Sequence, residues 1–297
     1  VKSRLDGDTH LLTALTTAQA RIVLPVSLSG DGEGVTVAAH PPALEKSAAK
    51  RVDAPAVPGQ PAPSPLISAR KLQHPIESLL NAAASAGHVS VFAGVDGVVR
   101  AETPVIRYGD IYLPSFALQI AAAYLGVPSA EMSVTPGASV SVGSLKVPLD
   151  ERHAMLVTFS GDARSFRYHP FDEVLQGRVP SDVFRDKIVL VGLTAAGTAD
   201  THRTPSSTGL PGVELVANVV ENLLAKRFLS RPSWAMNAEL GALALAALFV
   251  MFALPRLKAL AGVTLTVLLT GLLLGAGAYC LKERSEVLRV AYPAFLL

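Results

Sequence analysis

The residues able to do chemistry gather in one loop. Thr194, Asp200, His202 and Arg203 lie in the glycine-, threonine- and proline-rich run Gly192–Pro211. A hydroxyl, a carboxylate, an imidazole and a guanidinium so placed are candidates to hold a small polar ligand. A metal asks for more. Asp200 and His202, two residues apart, leave a coordination shell incomplete, so no metal site is expected. Gly192–Gly197 follows a strand-like run but lacks both the P-loop Lys-Ser/Thr pair and the GxGxxG spacing, so it reads as a glycine turn. The seven histidines show no H-E-x-x-H spacing, and no G-x-S-x-G elbow occurs. Asp96/Arg100 and Asp150/Arg152 fit turns and surface ion pairs better than acid–base machinery. Without a nucleophile–base constellation, neither enzyme activity nor a cofactor is expected of this chain.

Two elements must position the loop. Before it, Lys187–Val191 is an unbroken β-branched and leucine run, which predicts a strand covered on both faces. After it, Val213, Val216, Val219, Val220, Leu223 and Leu224 recur at helical spacing, with Glu214, Asn218, Glu221 and Asn222 on the other face. Pro211-Gly212 marks the start of this helix, and Glu214 suits its positive end. Lys226 and Arg227 close the last turn at the negative end. Arg231, Pro232 and Trp234 then lead directly into apolar sequence.

Composition divides the chain. Of 297 residues, those beyond Trp234 carry only Glu239, Arg256, Lys258, Lys282, Glu283, Arg284, Glu286 and Arg289 as charges. This tail accounts for a mean hydropathy of +0.39. The whole chain has a net charge of +2, and the part before the tail is balanced. Balance argues against nucleic acid, which requires a basic stripe. The single cysteine, Cys280, excludes a disulfide within the chain and any C-x-x-C site. Lacking an initiator Met and ending inside an apolar run, the sequence reads as a fragment of something longer.

Taken in order, Leu5–Ala20 holds a short helix with Leu11, Leu12 and Leu15 on one face and Asp8 or Thr9 as cap. Arg21–Leu28 is a strand whose Pro25 predicts an edge or a bulge. His40–Pro65, within a proline-rich stretch spanning 40–70, reads as a mobile linker or insertion. Pro75–Ala86 is a helix ended by Gly87, and His88–Phe92 is a strand turning at Asp96-Gly97. Val105–Tyr108 and Ile111–Leu113 form a hairpin about Gly109-Asp110. Pro114–Leu125 is an apolar helix stopped by Gly126. Val140–Val147 and His153–Phe159 are strands joined by a turn at Pro148–Arg152, and Phe171–Leu175 is a short helix. This alternation predicts an α/β domain over 1–233, a mixed sheet with flanking helices, followed by all-α transmembrane helices.

Residues 234–254 and 259–281 each match the length a bilayer requires, and 290–297 begins a third apolar segment. Pro255–Lys258 leaves room only for a tight turn. Gly271 and Gly275 form a GxxxG, which permits close helix packing and a homodimer. The positive-inside count does not by itself place the α/β domain outside.

Three runs, Gly87–Gly126, Val147–Gly161 and Phe171–Trp234, together resemble the CHASE-type extracytoplasmic sensor domain, type two. The matching positions include Asp96, Gly97, Val98, Arg100, Pro114, Asp150, Gly161, Lys187, Gly192, Pro211, Gly212, Glu214, Asn218 and Leu223. The resemblance implies a domain outside the bacterial inner membrane, in a multi-pass protein with the lipid bilayer as partner. An unidentified extracytoplasmic ligand or partner acts on it. A cytoplasmic nucleotide cyclase, diguanylate cyclase or phosphodiesterase, or kinase would follow. The family's first helix and strands and its output domain lie outside this sequence. Rival readings are a membrane-tethered enzyme and an assembly module working through helix association. On the sensory reading, Gly192–Pro211 is the expected responsive surface, since loops at strand ends in α/β sheets hold ligands.

Overall fold

A computed structural model describes residues 7–30, 38–52, 66–150, 152–195, 197–230 and 234–297. The chain divides into two units, Val1–Phe228 and Leu229–Leu297. The first begins with α1 (Gly7–Thr17), β1 (Val23–Ser29), β2 (Lys50–Arg51), β3 (Ser68–Ala69), β4 (Lys71–Gln73) and α2 (Glu77–Ala82). Next come β5 (Ser85–His88), β6 (Ala101–Glu102), β7 (Val105–Tyr108), β8 (Ile111–Pro114) and α3 (Phe116–Leu125). Then follow β9 (Ser133–Thr135), β10 (Ser139–Val142), β11 (Leu145–Pro148), β12 (Met155–Leu156) and α4 (Phe171–Leu175). The unit closes with β13 (Thr201–His202), β14 (Leu210–Pro211) and α5 (Gly212–Leu224).

The architecture is mixed α/β, as the alternation predicts, with short strands divided among several sheets. Their orders are β4-β1-β5, β11-β10-β9-β2, β3-β7-β8, β12-β6 and β13-β14. The pairs β1/β5, β2/β9 and β3/β7 are parallel. Helix α3 is central because its sequence is apolar almost all round. It buries Ala117, Leu118, Ile120, Ala121 and Ala122 in one core with Val219, Val220 and Leu223 of α5 and the inward valines of β9–β11. The Ser115 hydroxyl caps it by accepting from Leu118 N–H at 3.2 Å, and Gly126 ends it at φ 74°. A second core joins Val26, Leu28, Leu44, Leu80, Ile106, Tyr108 and Leu113.

Several expectations change. The Lys187–Val191 run belongs to no strand among the described residues. Ile188 and Leu190 pack on the core, while Val189 is 52% and Val191 81% exposed, so one face is covered and not two. The linker expected from His40 is structured at its start. Leu44 is fully buried in a 3-10 turn, and Lys50–Arg51 pairs with β9, because one well-placed leucine docks an otherwise small-residue stretch. Its remainder, 53–65, lies outside the described residues. Pro25 sits in a central strand. β4 joins that strand only from Ser27 onward, so the missing N–H of proline breaks no ladder. Helix α2 ends at Ala82, five residues before the expected Gly87 stop, and Gly87 lies within β5. Val140–Val147 is a hairpin turning at Gly143, φ 56°, and β9 joins it as a strand the sequence reading lacks. Of His153–Phe159, only Met155–Leu156 forms a ladder, against β6.

The second unit contains α6 (Ala235–Leu248), α7 (Ala259–Arg284) and α8 (Ala291–Leu296). Two stretches, Ala235–Arg256 and Ala259–Glu283, have hydropathies of 2.0 and 2.1 and are long and apolar enough to cross a membrane. Helix α6 widens into a π-helix at Phe249–Ala253 and tightens into a 3-10 turn at Leu254–Arg256. Pro255 causes this, since it offers no N–H to the carbonyl four residues back. Within this unit Ser230 bridges to Glu286, and Glu239 accepts from Arg289 N–H at 2.8 Å.

The position of Gly87 yields a test. A Cβ there would lie 2.7 Å from the Phe116 backbone and from the Ser115 carbonyl. Gly87→Ala should lower stability by about 1–3 kcal/mol in urea denaturation. Gly209→Ala, which meets open space, should stay within about 0.5 kcal/mol of wild type.

Candidate functional site

The polar face of α5 does not look into solvent. Glu214, Asn218 and Asn222, spaced at i, i+4 and i+8, are 2%, 1% and 1% exposed. They hold the backbone of the segment running from Thr158 to Tyr168. Asn222 accepts from Thr158 N–H at 2.9 Å and donates to the Thr158 carbonyl at 2.7 Å. Asn218 accepts from Ser160 N–H at 2.9 Å. Glu214 accepts from Arg164 N–H at 2.9 Å, Ser165 N–H at 2.8 Å and the Tyr168 hydroxyl at 2.7 Å. The asparagine amides also return bonds to the carbonyls of Glu214 and Asn218, which fixes their rotamers. Glu221 extends the grip outward by accepting from the Ser160 hydroxyl at 2.5 Å. Side chains thus replace a neighbouring strand, satisfying an extended segment that would otherwise bury unpaired polar groups.

The gripped loop is also shaped from within. Gly161 has φ 150°, and Arg164 adopts φ 69° to present its N–H to Glu214. The Ser165 hydroxyl donates to the Asp162 carbonyl. Hydrogen bonds from the Ser207 hydroxyl and then Ala163 N–H hold the Asp162 carboxyl below its ordinary value. Burial, then the hydrogen bond to Glu214, pushes the Tyr168 phenol up to about 12. Ser207 belongs to a compact turn in which Thr204 N–H donates to the Ser207 carbonyl at 2.7 Å. Three segments therefore meet at the start of α5.

The sequence-named positions fall as follows. Thr194, Asp200 and Arg203 are exposed, and His202 is partly covered. Asp200 and His202 come within 3.4 Å of one another, and His202 pairs with Leu210 across β13/β14. The Arg203 contact is through its backbone, whose carbonyl accepts from Val99 N–H at 2.7 Å. The Asp200 carbonyl likewise accepts from Gly212 N–H at 2.8 Å, beside Pro211 at the N-cap. Gly192 is a close-approach glycine, since a Cβ there would lie 2.6 Å from Val213 Cβ. Gly97, φ 73°, turns the chain so that Asp96 receives both guanidinium nitrogens of Arg100, at 2.9 and 2.6 Å. That bidentate pair holds the Asp96 carboxyl well below the carboxylate range. Asp150 serves its turn by accepting from the N–H groups of Arg152 and Ala154, not from the Arg152 guanidinium. Gly271 and Gly275 each meet open space. Among the described residues no three metal-ligating side chains cluster. The Arg231–Ser233 connector lies outside the described residues.

Two groups elsewhere in the domain respond to pH in opposite senses. Burial pushes the Glu102 carboxyl from 4.5 up to about 7, against a hydrogen bond with Ser115. Burial also pushes the His88 imidazole from 6.5 down to about 3. Glu102 binds more protons when folded, so its contribution falls as pH rises from about 4.5 to 7. His88 binds fewer, so its contribution is lost as pH drops from about 6.5 to 3.

Two outcomes follow. Glu214→Ala leaves two amides and a phenol without their acceptor and should cost about 2–4 kcal/mol, with hydrogen exchange rising at Arg164 and Ser165. Glu102→Gln, compared with wild type by thermal melting, should make stability fall more steeply on acidification below pH 6.5, because the opposing slope is removed.

The model of the CHASE2 domain family matches residues 4–254, which takes in the whole ladder and the first apolar helix. No curated protein and no solved structure matches the chain. Coverage of most of the chain by one family model makes the conclusion direct: the chain belongs to the CHASE2 domain family of extracytoplasmic sensor domains.

Proposed function

We propose that the chain is the sensory input region of a bacterial transmembrane signalling receptor, with the α/β domain outside a multi-pass inner-membrane anchor. The stimulus it receives passes to a cytoplasmic output domain, a nucleotide cyclase, diguanylate cyclase or phosphodiesterase, or kinase. The observation that carries this reading is the ladder on α5. The helix that grips the 158–168 segment is also the last helix before the membrane-length pair, and only residues 225–234 separate α5 from α6. A change in how that segment sits alters the bonds to Glu214, Asn218 and Asn222, and the helix bearing them shifts between two packings. So short a connector passes a displacement on, where a long flexible one would dissipate it.

The 158–168 segment joins Gly192–Pro211 as a responsive surface. Thr194, Asp200, His202 and Arg203 remain candidate contacts for an extracytoplasmic ligand or partner. Gly271 and Gly275 offer an unoccupied small-residue face for a second copy in the bilayer, which supports a homodimer.

Inserting a Gly/Ser segment of about ten residues after Ser230 in the full-length receptor should abolish the output response while leaving the domain's melting temperature unchanged. A response that survives the insertion would favour a tethered enzyme over a relay.

A further inference from the structure

A cavity of about 220 Å³ opens between the N-terminal ends of the parallel strands β1 and β5 and the C-terminal half of α3. It is distinct from the ladder and from the Gly192–Pro211 loop. Its walls are small where they come from Ala84, Ala123 and Gly126, and polar where they come from Arg21, Ser85 and Gln119. The polar groups differ in their freedom. Gln119 is 1% exposed and engaged at both polar atoms, donating to the Ser47 carbonyl at 2.7 Å and accepting from the Ser129 hydroxyl at 2.8 Å. Ser85 is 6% exposed, yet its hydroxyl has no hydrogen-bond partner among the described residues. Arg21 is pinned at the rim by one nitrogen, Nη1, which donates to the Ala123 carbonyl at 2.9 Å. No carboxylate pairs with Arg21 among the described residues.

We infer that this cavity is a binding site for a small organic carboxylate, held by the Arg21 guanidinium and the Ser85 hydroxyl. The guanidinium is exposed, held at the rim by one hydrogen bond and without a carboxylate partner among the described residues, and its planar fork matches a carboxylate better than a tetrahedral anion. The Ser85 hydroxyl, without a protein partner and open to the cavity, is free to donate to an entering anion. The volume, below the roughly 300–1,000 Å³ of sites for drug-sized ligands, selects a molecule of few atoms. The contact of Arg21 with Ala123 also offsets the negative end of α3, which would otherwise repel an anion.

The site's use rests on the sensory reading, while its chemistry does not. Helix α3 contributes Gln119 and Ala123 to the cavity and shares a core with α5 through Ala117, Leu118, Ile120, Ala121 and Ala122, so a ligand there lies one helix away from the ladder.

The full chain in nanodiscs is titrated calorimetrically with acetate, L-alanine and inorganic phosphate. The expected result is saturable binding of acetate or L-alanine, the two separating a plain carboxylate from an amino acid as the source. Arg21→Gln should weaken it about tenfold or more, Ser85→Ala by less, and Arg21→Lys by an intermediate amount, with melting temperature held. No carboxylate binding up to about 10 mM overturns the inference. So does tighter binding of phosphate, or binding indifferent to Arg21→Gln. Carboxylate binding without any output response in the full-length receptor would sink the sensory reading and leave the site standing. A response to carboxylate without binding at Arg21 would do the reverse.

Discussion

An extended backbone pressed against a helix has a problem that a sheet would normally solve. Its N–H and C=O groups point at a surface whose own backbone bonds are already used along the helix axis. Here the solution is three side chains, Glu214, Asn218 and Asn222, standing in one line and offering acceptors and donors where a strand would have placed them. The rest of the arrangement around α5 follows from this. The loop at 161–168 must curl so that two successive N–H groups reach one carboxylate, hence the left-handed Arg164 and the glycine at 161. The turn at Thr204–Ser207 must come close enough to steady Asp162. Buried polar groups that depend on one another in this way are stable only when all are satisfied, and a partial loss propagates.

That dependence is suited to a sensor. An apolar contact weakens gradually as surfaces separate, whereas a buried carboxylate that loses its donors must find others or be exposed to water. A relay through α5, as proposed, would therefore move between discrete arrangements and not along a continuum. The opposite face of the helix, with Val219, Val220 and Leu223, remains embedded with α3 and restrains how far it can travel. In the proposed relay, one face would define the arrangements and the other would limit the distance between them.

Much of this was legible in the residues, though unevenly. The Gly109-Asp110 hairpin, α3 with its Gly126 stop, the Asp96-Gly97 turn and α5 all follow from local signals, because turn chemistry and helical periodicity act over a few residues. What depended on distant neighbours was not readable. Gly87 looked like a helix stop, and only the approach of Phe116 shows why glycine is there. Lys187–Val191 has the composition of a doubly covered strand, but its neighbours cover only Ile188 and Leu190. The polar face of α5 was read as lying opposite the core. One clue was present: two asparagines on a single helical line, in place of stronger helix formers, mark side chains retained for their hydrogen bonds. Asn222 and Tyr168 as partners in the site needed the fold to be seen.

The π-helical stretch at Phe249–Ala253 has a bearing on what leaves the first apolar helix. A π turn takes in about one residue more than an α turn, so each of its residues advances the side chains by less than the about 100° of an α-helix. The side chains from Leu254 onward are consequently displaced around the axis from where an unbroken α-helix would put them. Pro255, by opening the π stretch, therefore sets which way the residues at the end of α6 face.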